Sequence, residues 1–362
     1  RRHAGAGRGL LKCRAALCNA QAEKRKRAAG PGVPSPAALF CPERGRSMRL
    51  TFEVTPQEDG AFLRDVLRHK GVSTALSASV KRCGGFWADG VPIRADQRVA
   101  AGAAVSFELP PEGDTSVIPE QIPLAIVYED EHAMVLEKPA GMAVHPTRGE
   151  VCGTLANAFC GLLRARGQKG VFRPINRLDK GTSGLVLCAM NAYAAPLLAK
   201  SARKVYYALC AGTPPAKAGE FCGPIARRGD SILGRCVSPQ GKPACTRYCV
   251  LAAGPGRFLA ACALGTGRTH QIRVHFSHAG CPLLGDWLYG GDTAALGRPA
   301  LHCGVLQFTT PAGGPTGPAA VQAFAPLPRD MAALAAPLAP GGALPGQLGA
   351  PQAFARVRHG LR

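Results

Sequence analysis

The sequence predicts a mixed α+β protein built from a small unit and a larger one. Three observations carry this expectation. Short alternating apolar runs recur between residues 125 and 308. Helical stretches fall among them without the strict strand–helix alternation of a doubly wound parallel sheet. A break rich in proline and acidic residues, Pro110-Pro111-Glu112-Gly113-Asp114, separates this region from the smaller unit before it.

The small unit is expected over residues 48–110. Leu50, Phe52 and Val54 alternate as in a strand, and Ala61–His69 and Ser77–Cys83 have helical character, joined by Gly71-Val72-Ser73. Gly84-Gly85 ends the second helix. Phe86-Trp87 and Val91-Pro92-Ile93 flank Asp89-Gly90, a pair suited to a tight hairpin turn. Val105–Leu109 closes the unit with a further alternating run.

Residues 111–123 read as a linker and 124–331 as the main domain. Strands are expected at Ala125–Glu129, Met134–Glu137, Leu185–Ala189, Val205–Cys210, Arg247–Ala252, Phe258–Leu264 and Leu301–Phe308. Helices are expected at Thr154–Arg166, Ala192–Ser201 and Gln271–Ala279. Residues 332–362 dissolve into Ala, Pro and Gly, with no charged side chain between Asp330 and Arg356, and read as a disordered tail. Residues 1–47 are basic without amphipathic order. Met48 is therefore expected to be the true start, with the preceding residues an upstream artefact or, alternatively, a disordered RNA-binding arm.

The 362 residues carry a formal charge of +21, which points to a polyanionic partner. Residues 48–331 alone hold 30 basic and 21 acidic side chains, so the core of the chain is basic without its ends. No apolar stretch approaches bilayer length, and no membrane association is expected. The 15 cysteines include no CxxC pair and are expected as reduced, mostly buried thiols in a cytoplasmic protein. No second pair stands at a ligand spacing, and His270 and His275 fall on different helical faces, so no metal is expected.

The densest cluster of informative residues is Arg173-Pro174-Ile175-Asn176-Arg177-Leu178-Asp179-Lys180-Gly181-Thr182-Ser183-Gly184-Leu185. It reads as an extended approach, a polar turn with one carboxylate, and a buried strand that would hold the turn rigidly. By itself such an aspartate is more often a solvated loop residue than a catalyst.

Within that cluster, Arg177-Leu178-Asp179 with Thr182-Ser183-Gly184 resembles the catalytic signature of the RluA-type RNA pseudouridine synthases, although Asn176 stands where many members have His. Three more segments agree in order: Glu137-Lys138-Pro139-Ala140-Gly141 through His145-Pro146, Lys204-Val205-Tyr206-Tyr207-Ala208, and Gly267-Arg268-Thr269-His270-Gln271-Ile272-Arg273, followed by Gly285-Asp286. The resemblance implies a largely antiparallel catalytic sheet. The small unit resembles an S4-like RNA-binding domain, with Lys81 and Arg82 as RNA contacts.

The resemblance implies the chemistry as well. Uridine is detached from its ribose, turned and rejoined through a ring carbon. Nothing is oxidised and no atom is lost, so no cofactor is expected. Asp179 is implied as the catalytic carboxylate, acting as nucleophile or as base. Arg273 is implied as its guanidinium partner, which favours the charged form of a buried carboxylate. Thr269 is a candidate cap for the helix that carries Arg273. Tyr206 is implied to lie against the target base. Arg177, Lys180, Thr182, Arg268, His270 and Gln271 are cast as RNA contacts.

The substrate expected is structured RNA, with 23S ribosomal RNA first and transfer RNA second, and the enzyme is expected to be a monomer. The rival from another class is a catalytically silent RNA-binding or ribosome assembly factor. A metal-dependent nuclease would need clustered carboxylates, which these motifs lack.

Overall fold

The computed structural model describes residues 48–113, 115–314 and 317–338. Residues 1–47, and the tail beyond residue 338, lie outside the described residues.

In the small unit, β1 (Arg49–Glu53), α1 (Leu63–His69), α2 (Thr74–Cys83), β2 (Phe86–Ala88), β3 (Val91–Ile93) and β4 (Ala104–Glu108) follow in chain order. The strands form a sheet in the order β1-β4-β2-β3. α2 starts at Thr74, one turn before the sequence suggested, because the Ser73 hydroxyl accepts from the Leu76 backbone N–H and caps it. Asp89 and Gly90 both take positive φ (50° and 79°), as the two-residue hairpin turn requires. Leu50, Phe52, Leu63, Val66, Val80 and Phe107 fill the core between sheet and helices.

The larger unit opens with β5 (Ala125–Glu129), β6 (Ala133–Lys138), α3 (Leu155–Ala165), β7 (Arg173–Pro174), β8 (Ser183–Ala189), α4 (Ala194–Ser201) and β9 (Arg203–Ala211). It continues with β10 (Ala218–Phe221), β11 (Ile225–Arg227), β12 (Arg235–Val237), β13 (Thr246–Gly254), β14 (Arg257–Leu264), α5 (Gln271–His278), β15 (Leu301–Thr309), β16 (Ala320–Phe324) and α6 (Arg329–Ala335). Ten strands share one sheet, ordered β10-β13-β14-β9-β15-β8-β6-β5, with β16 on β15 and β7 on β8. Only the β15–β8 pairing is parallel. The fold is thus mixed, with a largely antiparallel sheet.

Period-two alternation along β9 divides the two faces of this sheet. Tyr206, Ala208 and Cys210 pack with Phe159 and Leu163 of α3, Leu198 of α4 and Phe276 of α5. Val205, Tyr207 and Leu209 pack on the other side with Met331 and Ala335 of α6 and with Leu338. That second layer corrects the expectation of a disordered tail as far as residue 338, where Ala335 and Leu338 are buried, and residues 339–362 lie outside the described residues.

The presumed linker 111–123 is also tied down. Asn157 of α3 donates to the Ile118 carbonyl at 2.8 Å, and Arg173 pairs with Glu112 at 2.6 Å. The two units meet at Tyr193, whose hydroxyl donates to the Lys70 and Ala312 carbonyls at 3.0 and 3.1 Å. Its ring stands edge-on to Phe52.

Candidate functional site

A cavity of about 1000 Å³ opens where the loop before β8, the strand β9 and the start of α5 converge. Asp179, Tyr206 and Arg273 all line it, as do Arg177, Thr182, Arg268, His270 and Gln271. Asp179 and Arg273, 94 residues apart, meet in its wall, and the pairing of β8 and β9 with β15 brings Tyr206 to the same place.

The Asp179 loop is held from below. Lys138, fully buried, donates from its amine to the carbonyls of Pro139 and Met142 at 2.8 Å each, and more distantly to Lys180 at 3.4 Å. The Gly141 N–H also reaches the Lys180 carbonyl, at 2.7 Å. The Glu137–Pro146 motif therefore builds the floor under the loop. Burial pushes the Lys138 amine down to about 7, against the opposing pull of the Asp179 charge. At the loop's far end Gly184 has φ of 114°, and a Cβ there would overlap the Cys303 backbone of β15. Only glycine permits the parallel pair β15–β8 to close beneath the loop.

Asp179 is 29% exposed, and its Oδ2 accepts from Arg273 Nη1 at 3.2 Å. His270 Nε2 stands 3.8 Å from the same oxygen. Arg273 is itself buried and makes a two-point fork to Asp286, with Nε and Nη2 at 2.7 and 2.8 Å from the two carboxylate oxygens. Burial works against the guanidinium charge, but the hydrogen bonds and charges of Asp286 and Asp179 together outweigh it, so its pKa is raised. Tyr289 covers the guanidinium at 5.0 Å, and its hydroxyl meets His270 Nδ1 at 2.8 Å.

Thr269 does not cap α5. His270 occupies that position in the left-handed region with φ of 58°, an uncommon geometry for a residue with a side chain. This conformation places its ring between Asp179 and Tyr289. Burial lowers the His270 pKa, with Asp179 pulling the other way. Asp286 and Tyr289 were given no role by the sequence. Their place becomes visible only relative to Arg273, although Gly285-Asp286 had been noticed as a motif.

The other expected contacts divide. Tyr206 is buried on the cavity side of β9, and burial, Cys303 and Asp179 all raise its hydroxyl pKa. Tyr207 points to the opposite face of the sheet. Thr182 lines the cavity, and its hydroxyl is buried with no hydrogen-bond partner among the described residues. Gln271 is spent internally: its amide donates to the Cys245 carbonyl and Thr246 hydroxyl and accepts from the Arg268 N–H and Thr266 hydroxyl. Lys180 faces away from the cavity lining and pairs with Glu150 at 2.8 Å. Lys81 and Arg82 stand exposed in the last turn of α2, in the small unit. Asn176, the departure from the commonest signature, is buried and bridges β8 through the Leu185 carbonyl and Leu187 N–H.

The comparisons agree with this geometry. The RNA pseudouridylate synthase family model matches residues 132–278. An RNA pseudouridine synthase of Bacillus subtilis, YjbO, is 34% identical over 73% of this chain and 94% of its own length. A second from that organism, YhcT, is 35% identical over 80% and 96%. The ribosomal large subunit pseudouridine synthase D of Xylella fastidiosa is 37% identical over 71% and 82%. With three of the four motifs lining one cavity and the first supporting the Asp179 loop from below, the chain belongs to the RluA-type RNA pseudouridine synthases, a family of isomerases.

Proposed function

We propose that Asp179 is the catalytic carboxylate of a uridine-to-pseudouridine isomerisation in structured RNA. The observation that carries this is its position: a partly exposed carboxylate in the wall of a roomy cavity, held on one oxygen by a buried, immobilised arginine. Both positively polarised neighbours, Arg273 and His270, approach Oδ2. That leaves Oδ1 to meet a flipped nucleotide, either as nucleophile or as the base that takes a proton from the sugar. Tyr206 offers a ring face beside the base. Thr182 contributes to the cavity wall beside Asp179, and Arg177 and Arg268 supply positive charge for the backbone. Lys180, more distant, contributes field rather than contact.

The small unit serves as an S4-like RNA anchor. Lys81 joins Arg64 and Arg94 around a second, shallower depression of about 400 Å³, and Arg82 extends the basic surface. The favoured substrate is large-subunit ribosomal RNA, the substrate named for the Xylella relative, acted on by a cytoplasmic monomer. Among the described residues no helix is long and apolar enough to cross a membrane.

The test is to incubate the full chain and its Asp179→Asn variant with unmodified ribosomal and transfer RNA. Pseudouridine is then mapped by carbodiimide-dependent reverse-transcription stops. New stops in ribosomal RNA from the parent alone are expected. Stops confined to transfer RNA would move the substrate. RNA binding without stops from either protein would favour a silent assembly factor.

A further inference from the structure

We propose that Glu220, Cys222 and Cys245 form a binding site for a thiophilic divalent cation of the zinc class, at the edge of the catalytic sheet. The site is a product of strand pairing. β10 is the sheet's outermost strand and pairs with β13 so that Glu220 lies opposite Arg247 and Phe221 opposite Thr246. Continuing that register by one residue sets Cys222 against Cys245, and their sulfurs are 2.8 Å apart. Glu220 and Cys222 are two residues apart, so they project to the same face, where the Glu220 carboxylate touches the Cys245 sulfur. The donor atoms of all three lie within 4.8 Å of one another.

On binding a dication the two thiols would release their protons, and two thiolates and one carboxylate would then face the metal. Arg247, 3.3 Å from Glu220, supplies the remaining positive charge, so three anions, one dication and one guanidinium sum to neutrality. Two sulfurs and one carboxylate oxygen suit zinc in preference to magnesium or calcium, with the fourth position open to water because Cys222 and Glu220 are exposed. A Cys222–Cys245 disulfide accounts for the sulfurs but leaves Glu220 against an atom with no proton to offer.

The position gives the site a structural consequence. The Cys245 carbonyl accepts from Gln271 Nε2 and from the Gly265 N–H, and the Cys245 N–H donates to the Thr266 hydroxyl. Thr266, Arg268 and Gln271 line the cavity. A metal here would staple the open edge of the sheet to the loop that leads into α5 and lines the cavity. The residues are 23 apart in the chain, which is why motif spacing gives no sign of a zinc ligand set.

The experiment uses the full chain grown with zinc and passed through gel filtration. Metal content is read by plasma mass spectrometry, and cobalt substitution by its thiolate charge-transfer band. One equivalent of zinc and a cobalt–thiolate band are expected. The equivalent should be lost in the Cys222→Ser, Cys245→Ser double variant, and the cobalt band should shift in Glu220→Gln. The cobalt band of the parent stands even where the double variant does not fold. Absence of that band, zinc content unchanged by the double variant, or a Cys222–Cys245 disulfide in a non-reduced digest would each overturn the proposal.

Discussion

Arg273 gives Asp286 two of its guanidinium nitrogens and gives Asp179 one. The buried aspartate, with no exposed surface, is the anchor, and the cavity aspartate receives what the anchor leaves pointing at it. Removing the anchor should therefore cost catalysis more than substrate binding. For Asp286→Asn, kcat/KM is expected to fall on the order of 10²-fold, carried by kcat, because a misaligned guanidinium no longer fixes Asp179. Single-turnover rates and RNA binding, measured separately, check this. An unchanged kcat would show that Asp179 holds its own position.

Arg273→Ala is expected to affect the fold as well as the activity. Truncation leaves Asp286 charged, buried and unpaired, a situation that costs about 3–5 kcal/mol. The alanine variant is expected to melt well below the parent as well as being inactive. Arg273→Ala combined with Asp286→Ala should regain part of the lost melting temperature and none of the activity. Thermal denaturation of the three proteins separates the structural share of Arg273 from its share in catalysis.

This pair also shows how far the sequence could be read. Asp179, Tyr206 and Arg273 stand in short, ordered motifs, and the strands that carry them alternate clearly, so their convergence was legible. Asp286 and Tyr289 become meaningful only through contact with a side chain on α5, which no linear spacing encodes. Tyr206 and Tyr207 part to opposite faces of β9, as period two along a strand dictates. α6 was lost because it is short and rich in Ala, and its burial against the far face of the sheet depends on tertiary packing of Met331 and Ala335. The β11–β12 hairpin escaped because three-residue strands carry too little alternation to be seen.

Tyr206 allows its ring and its hydroxyl to be tested apart. Tyr206→Phe keeps the aromatic face and should leave RNA affinity within about 2-fold, while kcat falls if the hydroxyl acts on the substrate. Tyr206→Leu removes the face, and stacking worth about 1–3 kcal/mol should be lost from the bound complex. Filter binding and turnover on the same RNA distinguish the two roles. Equal behaviour of Phe and Leu would assign Tyr206 to core packing.

Lys138 tests the floor of the site. Lys138→Met keeps most of the side-chain volume but withdraws the donor shared among the Pro139, Met142 and Lys180 carbonyls. Each carbonyl left without a partner costs about 1–3 kcal/mol, offset by relief from burying a charge. The expected result is a modest change in melting temperature together with a marked fall in kcat, because the Asp179 loop loses its tether. A stable variant with parental kcat would show that Gly141 alone holds Lys180.

His302 should make the fold acid-sensitive. It pairs across the parallel β15–β8 contact with Ser183, whose hydroxyl is 3.0 Å from Nδ1, and Nε2 lies 3.3 Å from the Ala325 carbonyl. Burial pushes its pKa down to about 4, from 6.5. The folded state therefore holds the ring neutral where the unfolded chain would already take a proton. The stability that follows is complete above pH 6.5 and is lost as pH falls toward about 4, by an amount on the order of 3 kcal/mol. Urea unfolding at a series of pH values should show stability declining through this window in the parent. His302→Gln, which keeps a polar group but cannot titrate, should decline less steeply. Equal slopes in the two proteins would place the acid sensitivity in other buried histidines, of which His132 and His275 are shifted in the same direction by burial.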